Sequence, residues 1–212
     1  MTITRRPMLA LLAAAGFALA PLSSPVRAAE RASADQIAAA EAYLNGIRTL
    51  QADFIQGLPD GSVMTGDFYL SRPGKLRFTY DAPINDFIVA DGRFLFYWDD
   101  RLKQQSNAPI GSTLADFILR ETISFSGDVK VLKAERESGL LRITLTPAED
   151  SALGRLTLVF TEAPMALRQW QVVDAQGALT EVTLNGLRTG ETLNAALFRF
   201  REPGKDKDDL DY

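Results

Sequence analysis

Cysteine and histidine are both absent from the 212 residues. Without cysteine there is no disulfide, no thiolate chemistry and no residue to carry a lipid anchor. Without histidine the chain lacks the usual general base, the serine–histidine–aspartate triad and the commonest metal ligand. Catalysis would be left to carboxylates and lysine. There is also no glycine-rich phosphate loop, no cluster with metal-ligand spacing and no calcium loop of the D-x-[DN]-x-[DN]-G type. No cofactor and no metal are expected, and a non-enzyme is the expected class. With 15 glycines and 10 prolines, the chain is neither fibrous nor disordered by composition. No repeat indicates a propeller or solenoid.

What is present begins with a leader. Arg5 and Arg6 precede the apolar stretch Met8–Ala20, and Pro21 and Val26-Arg27-Ala28 follow, which are the basic, apolar and small-residue zones of a secretory signal. Cleavage is expected after Ala28. The stretch is short for a bilayer span, which needs about 20 residues. The paired arginines also suit the twin-arginine route, although such pairs occur in ordinary signals. Loss of Arg5, Arg6 and Arg27 takes the net charge from −4 to −7, which argues against a nucleic-acid partner. Residues 29–212 then form one exported domain, with 205–212 a frayed acidic tail.

Ser33 and Gln36 match a capping box, and Ile37, Ala40, Leu44 and Ile47 recur at helical spacing, which predicts a helix over about 34–46. From Thr49 the period changes to two. Leu50, Ala52 and Phe54 alternate with polar neighbours up to the turn Gly57–Gly61. Further strands are expected at 63–72, 75–81, 87–90, 93–99, 102–106, 129–137, 140–146, 155–161, 167–174, 178–187 and 197–201. A second, short helix carries Leu114, Phe117 and Ile118, with Ser112 or Thr113 as its cap.

About a dozen consecutive strands with two helices describe one mainly β domain with an antiparallel meander. So large a sheet curls, and two helices cover little of its apolar face. It can close into a solid sandwich or bend into an open barrel around a cavity. The strand pattern alone favours the sandwich, because solid cores are commoner.

Met64, Phe68 and Leu70 share one face of their strand, and Arg72 ends that stripe. A guanidinium beside apolar surface needs acceptors, and orphan carbonyls at a helix C-terminus suit it. On spacing alone, a side chain reaching to solvent is the commoner outcome. Leu76 and Phe78 share a face of the next strand, and Phe94, Phe96 and Trp98 share one beyond Gly92. The paired acids Asp99-Asp100, Glu149-Asp150 and Asp86 with Asp91 all sit beside turns, where solvated acids are expected.

Leu70-Ser71-Arg72-Pro73-Gly74-Lys75-Leu76-Arg77-Phe78, then Ile88-Val89-Ala90-Asp91-Gly92, Phe94-Leu95-Phe96-Tyr97 and Leu102-Lys103-Gln104 resemble the LolA family of periplasmic lipoprotein carriers. Tyr43-Leu44-Asn45, Leu50–Gln56, Thr113–Leu119 and Phe198–Pro203 extend the resemblance over nearly the whole exported chain. It implies an incomplete, open antiparallel β-barrel of about 11–12 strands, with the helices as a lid or plug. It implies that Arg72 latches that lid through its backbone and lets go when lipid enters. The cavity lining is then expected from Phe54, Met64, Phe68, Leu70, Leu76, Phe78, Phe94, Phe96, Trp98, Leu114, Phe117 and Ile118. The implied partners are acylated lipoproteins, an ATP-driven inner-membrane releasing complex and an outer-membrane receptor, met by a monomer in the periplasm. A carrier of another lipid or glycolipid, a non-lipid interaction domain and a carboxylate-dependent hydrolase stay open as alternatives.

Overall fold

The computed structural model describes residues 29–58 and 60–204; the expected leader, 1–28, and acidic tail, 205–212, lie outside the described residues. Along the chain run β1 (Glu30–Arg31), α1 (Ala34–Gly46), β2 (Thr49–Gly57), β3 (Val63–Ser71), β4 (Lys75–Tyr80), β5 (Phe87–Asp91), β6 (Phe94–Asp99) and β7 (Gln104–Pro109). After them come α2 (Asp116–Leu119), β8 (Val129–Glu137), β9 (Leu140–Pro147), β10 (Arg155–Glu162), β11 (Met165–Val173) and β12 (Leu179–Thr189).

All twelve strands join one sheet in the order β1-β8-β9-β10-β11-β12-β2-β3-β4-β5-β6-β7. Every pairing is antiparallel, as hairpins dictate for the strands consecutive in sequence; β1–β8 and β12–β2 pair over long range. Two meanders, β2–β7 and β8–β12, are stitched together where β12 meets β2, with Leu184 opposite Phe54 and Val182 opposite Gln56. The edges β1 and β7 do not pair with each other, so the barrel is open.

The sheet nevertheless bends through most of a circle. Leu95 on β6 and Leu156 on β10 are seven strand steps apart, which at about 4.8 Å per step is roughly 34 Å in a flat sheet. They line the same cavity. Likewise Trp170 of β11 packs edge-on against Phe68 of β3, with ring centroids 5.3 Å apart. The period-two alternation supplies this inner face: Leu50, Ala52 and Phe54, then Leu141, Ile143 and Leu145, then Val182 and Leu184 are all buried in one core.

The helices complete that core. Ser33 and Gln36 form the expected capping box, which sets the first turn of α1 and turns Ala40 and Leu44 inward. Residues 110–128 connect β7, at one edge, to β8, beside the other. The shortest route between those edges crosses the opening, and Leu114, Phe117, Ile118 and Leu119 pack down into the core from it.

Three expectations differ from the structure. Residues 197–201 are not a strand, because the Asn194 side chain accepts from the Ala196 N–H and starts a 3-10 turn over Ala195–Phe198. The short helix has no side-chain cap: the hydroxyls of Ser112 and Thr113 donate backwards to Pro109 O and Ile110 O, shaping a 3-10 turn at Ile110–Ser112 instead. The two-residue strand β1 carries no periodicity a sequence reading could use, and pairs with β8 through Glu30 and Arg31.

Neighbouring positions in β3 are expected to respond oppositely to mutation. A Cβ at Gly66 would lie 2.0 Å from the Thr79 carbonyl oxygen and 2.9 Å from the Phe54 ring. Gly66→Ala should therefore destabilise by about 1–3 kcal/mol in urea unfolding. Asp67 stands directly opposite Asp53. Burial, then the charges of Asp53 and Asp81, raise its pKa above the ordinary carboxylate value. The folded state thus prefers Asp67 protonated, so its penalty is absent at low pH and grows as pH rises through the unfolded value toward the folded one. Asp67→Asn should stabilise by roughly 0.2–1 kcal/mol at neutral pH, with the gain vanishing when unfolding is repeated at about pH 3.

Candidate functional site

The interior faces of β3, β4 and β11, with α1 and α2 above them, bound two apolar hollows. One, of about 20 Å³, is lined by Leu44, Ile47, Leu70, Arg72, Ile118 and Trp170 among others. The other, of about 280 Å³, lies under residues 112–118 and is walled by Phe78, Leu95, Leu156 and Val172. Ile118 and Trp170 border both, so the two hollows are separated by side chains alone. Leu114, Phe117, Ile118 and Leu119 pack into the core beside these hollows.

Phe54, Phe68, Leu70, Leu76, Phe78 and Phe117 are buried in this interior, and Met64, Leu114 and Ile118 are half-buried against it. Phe94, Phe96 and Trp98 are a correction. Register places Phe96 opposite Val89 and Trp98 opposite Phe87, on the outer face. There Trp98, Phe87 and Val89 form a separate small core covered by Phe200, while Phe94 is 41% exposed. Arg77 assists by lying over the Phe87 ring and donating to Leu197 O. Leu95 is the residue of β6 that reaches the cavity. Phe94-Leu95-Phe96-Tyr97-Trp98 is apolar on both faces, so alternation carried no signal about which one turns inward.

Arg72 follows β3 immediately and is only 7% exposed. Its Nε donates to Ile47 O at 2.8 Å, its Nη2 donates to the carbonyls of Leu44 and Ile47, and its Nη1 donates to Arg120 O at 3.3 Å. Leu44 and Ile47 belong to the C-terminal end of α1, and Arg120 closes α2. Carbonyls at a helix C-terminus are short of intrahelical donors and carry the negative pole of the helix dipole, so they suit a cation; Leu44 O also accepts from the Ile47 N–H. No carboxylate is paired with Arg72 among the described residues. Burial, and secondarily Arg48, draws its pKa below the ordinary value. A guanidinium remains charged even so, and is held here entirely by carbonyl oxygens. The adjoining backbone adds two bonds, Arg72 N–H to Arg48 O at 2.8 Å and Gly74 N–H to Leu119 O at 2.7 Å.

One polar pair lies inside the barrel. Tyr80 donates to Gln56 Oε1 at 2.7 Å, and burial raises its pKa to about 12, so it stays a neutral donor. The acids considered for catalysis hold turns instead. Asp86 accepts from Tyr97 and the Asp100 N–H, Asp91 from the Arg93 and Phe94 N–H groups, Asp99 from Leu102 and Asp150 from Ala152. Lys103, and then the Trp98 indole, hold Asp100 below the usual carboxylate pKa, opposite to what a proton donor needs. Asn45, whose side chain bonds to α1 and to Ile123, is a second polar contact that spacing did not single out.

Residues 45–201 match the family described as outer membrane lipoprotein carrier protein LolA. The outer-membrane lipoprotein carrier protein of Methylococcus capsulatus is 33% identical over 172 residues, covering 77% of this chain and 82% of that one. That of Xylella fastidiosa strain Temecula1 is 31% identical over 202 residues, covering 91% and 92%. Among solved structures, a LolA superfamily protein from Nitrosomonas europaea aligns at 12% identity and a TM-score of 0.44, covering 77% of this chain and 97% of that one. The bent sheet, its apolar interior and a sequence match running from the end of α1 to the segment over β6 agree: the chain belongs to the LolA family.

Proposed function

We propose that this protein carries lipoproteins across the periplasm by sheltering their acyl chains inside the open barrel, and that Arg72 latches the lid. The observation that carries this reading is a buried guanidinium whose acceptors are the end carbonyls of both lid helices, above an interior lined by Leu, Phe, Ile and Trp.

The energetics suit a reversible carrier. Burial of a 16-carbon chain is worth about 12 kcal/mol, taking ~0.8 kcal/mol per CH₂. Hydrogen bonds to a charged group contribute about 1.5–3 kcal/mol each, so three carbonyl acceptors hold the lid by roughly 5–9 kcal/mol. Measured against water, one acyl chain outweighs the latch; measured against another apolar site it does not, so the closed form can return when a receptor takes the chain. The lid side chains occupy the space the lipid needs, so lid and cargo exclude one another.

On this reading residues 1–28 are removed on export and residues 29–212 work as a single domain and a monomer. Cargo is taken from an ATP-driven complex at the inner membrane and passed to a receptor at the outer membrane. The carrier needs no cofactor, because the direction of transfer comes from its partners, and the reaction it serves makes and breaks no covalent bond.

Native mass spectrometry and displacement of an apolar dye, with acylated and deacylated lipoprotein, test the proposal. One-to-one binding that depends on the acyl chains is expected, and equal behaviour of the two cargo forms would sink it. Arg72→Leu should fold, with stability lowered by about 1–3 kcal/mol, less than the gross sum of the latch bonds because the cost of desolvating the guanidinium is removed with them. It should still displace dye with cargo but hand cargo over poorly, while Arg72→Lys, which lacks the planar fork, should fall between. Wild-type transfer by Arg72→Leu would remove the arginine from the mechanism.

A further inference from the structure

The lid is fastened unevenly. Across Gly111–Ile118 the hydrogen bonds among the described residues reach no farther than four residues along the chain: Ser112 to Pro109, Thr113 to Ile110, Phe117 to Leu114, Ile118 to Ala115 and Arg120 to Asp116. Apolar packing alone holds this stretch over the larger hollow. The residues after it are tied to other elements one by one. Leu119 O accepts from Gly74, Arg120 O from Arg72 and Glu121 O from Arg48.

Beyond those single bonds lies a stronger fixture. Asn45 pairs with Ile123 as a neighbouring strand would, its Nδ2 donating to Ile123 O at 2.8 Å and its Oδ1 accepting from Ile123 N–H at 2.9 Å. A further bond from Nδ2 to Glu41 O at 3.0 Å fixes the amide on α1, and Glu41 Oε2 accepts the Phe125 N–H at 2.7 Å.

The helix that bears Asn45 is itself restrained at both ends. Before it, β1 pairs with β8, Ala32 N–H donates to Ala134 O, and Gln36 donates to Glu162, which also binds Arg136. After it, the chain passes within three residues into β2.

We infer that Asn45, supported by Glu41, is the hinge post of the lid: α1 stays in place, Ile123–Phe125 stays pinned to it, and an acyl chain gains the interior by lifting residues 111–120 once Arg72 releases Arg120 and Gly74 releases Leu119. This rests on the carrier reading and refines it. The latch and the pin sit three residues apart in the chain, which gives the lid a short lever with a defined axis. Asn45 is a positioning residue, since its amide touches backbone and not the hollow.

The chain has no cysteine, so paired cysteines introduced for spin labels report single distances. Exposed positions serve: Ser112 on the lifting segment, Ala42 on α1, Ser126 beside the pin and Arg168 on β11. The exported protein would be labelled pairwise and loaded with a palmitoylated peptide, with dye displacement confirming occupancy. The Ser112–Arg168 distance should lengthen on loading, while Ala42–Arg168 and Ala42–Ser126 stay unchanged. In Asn45→Ala, Ala42–Ser126 should broaden on loading. A shift of Ala42 relative to Arg168 in the unsubstituted background would overturn the fixed strap, and a tight Ala42–Ser126 distance in loaded Asn45→Ala would remove Asn45 as the pin. Failure of the palmitoylated peptide to displace dye at all would instead overturn the carrier reading, and this inference with it.

Discussion

A guanidinium taken out of water must find an acceptor for nearly every N–H, and Arg72 finds them in the carbonyls that end two helices. That single requirement fixes much of the rest. It draws the C-terminus of α1 and the end of α2 to one point at the turn after β3. It also leaves the lid closed by polar bonds at its rim while its underside is held by apolar packing. Rim and underside therefore answer to different chemistry: water and charge act on the first, hydrocarbon on the second.

The sheet makes this arrangement possible by bending without closing. Twelve strands could bury each other as a sandwich, yet the register keeps β12 beside β2 and leaves β1 and β7 apart. Among the described residues the connection from β7 to β8 joins the two edges of the gap, so its place over the interior is a consequence of topology as much as of helix propensity. The outer face shows the same economy of cover. Phe87, Val89 and Trp98 would be an exposed apolar patch on the convex side, and the C-terminal segment lays Phe200 across them, with Arg77 over the edge.

The segment between β7 and β8 is held mainly by packing. Its hydrophobic residues complete the core of the closed form, as Phe117 and Leu119 show by their burial. A protein that merely wanted stability would tie Gly111–Ile118 down with the polar contacts that hold Leu119–Phe125. Among the described residues Gly111–Ile118 relies on apolar contact, and segments with few tertiary hydrogen bonds are those that open locally at the lowest cost.

The amino-acid sequence by itself determined that no thiol or imidazole chemistry exists, that α1 begins at the Ser33–Gln36 box, and that nearly every strand from β2 to β12 has one apolar face. These are local properties: a capping box spans four residues and an alternation about five. The ordered motifs around Arg72-Pro73 also carried the family. Only the tertiary structure decided that the sheet bends instead of splitting, because curvature sums small twists over many strands and no window of sequence contains it. It decided which face of β6 turns inward, since Phe94 to Trp98 is apolar on both sides. It decided, too, that Leu197–Arg201 forms a turn and a cover and not a strand. Last, it brought Asn45 to Ile123 and Arg72 to Arg120, pairs separated by 78 and 48 residues, whose meeting depends on how the whole barrel closes around them.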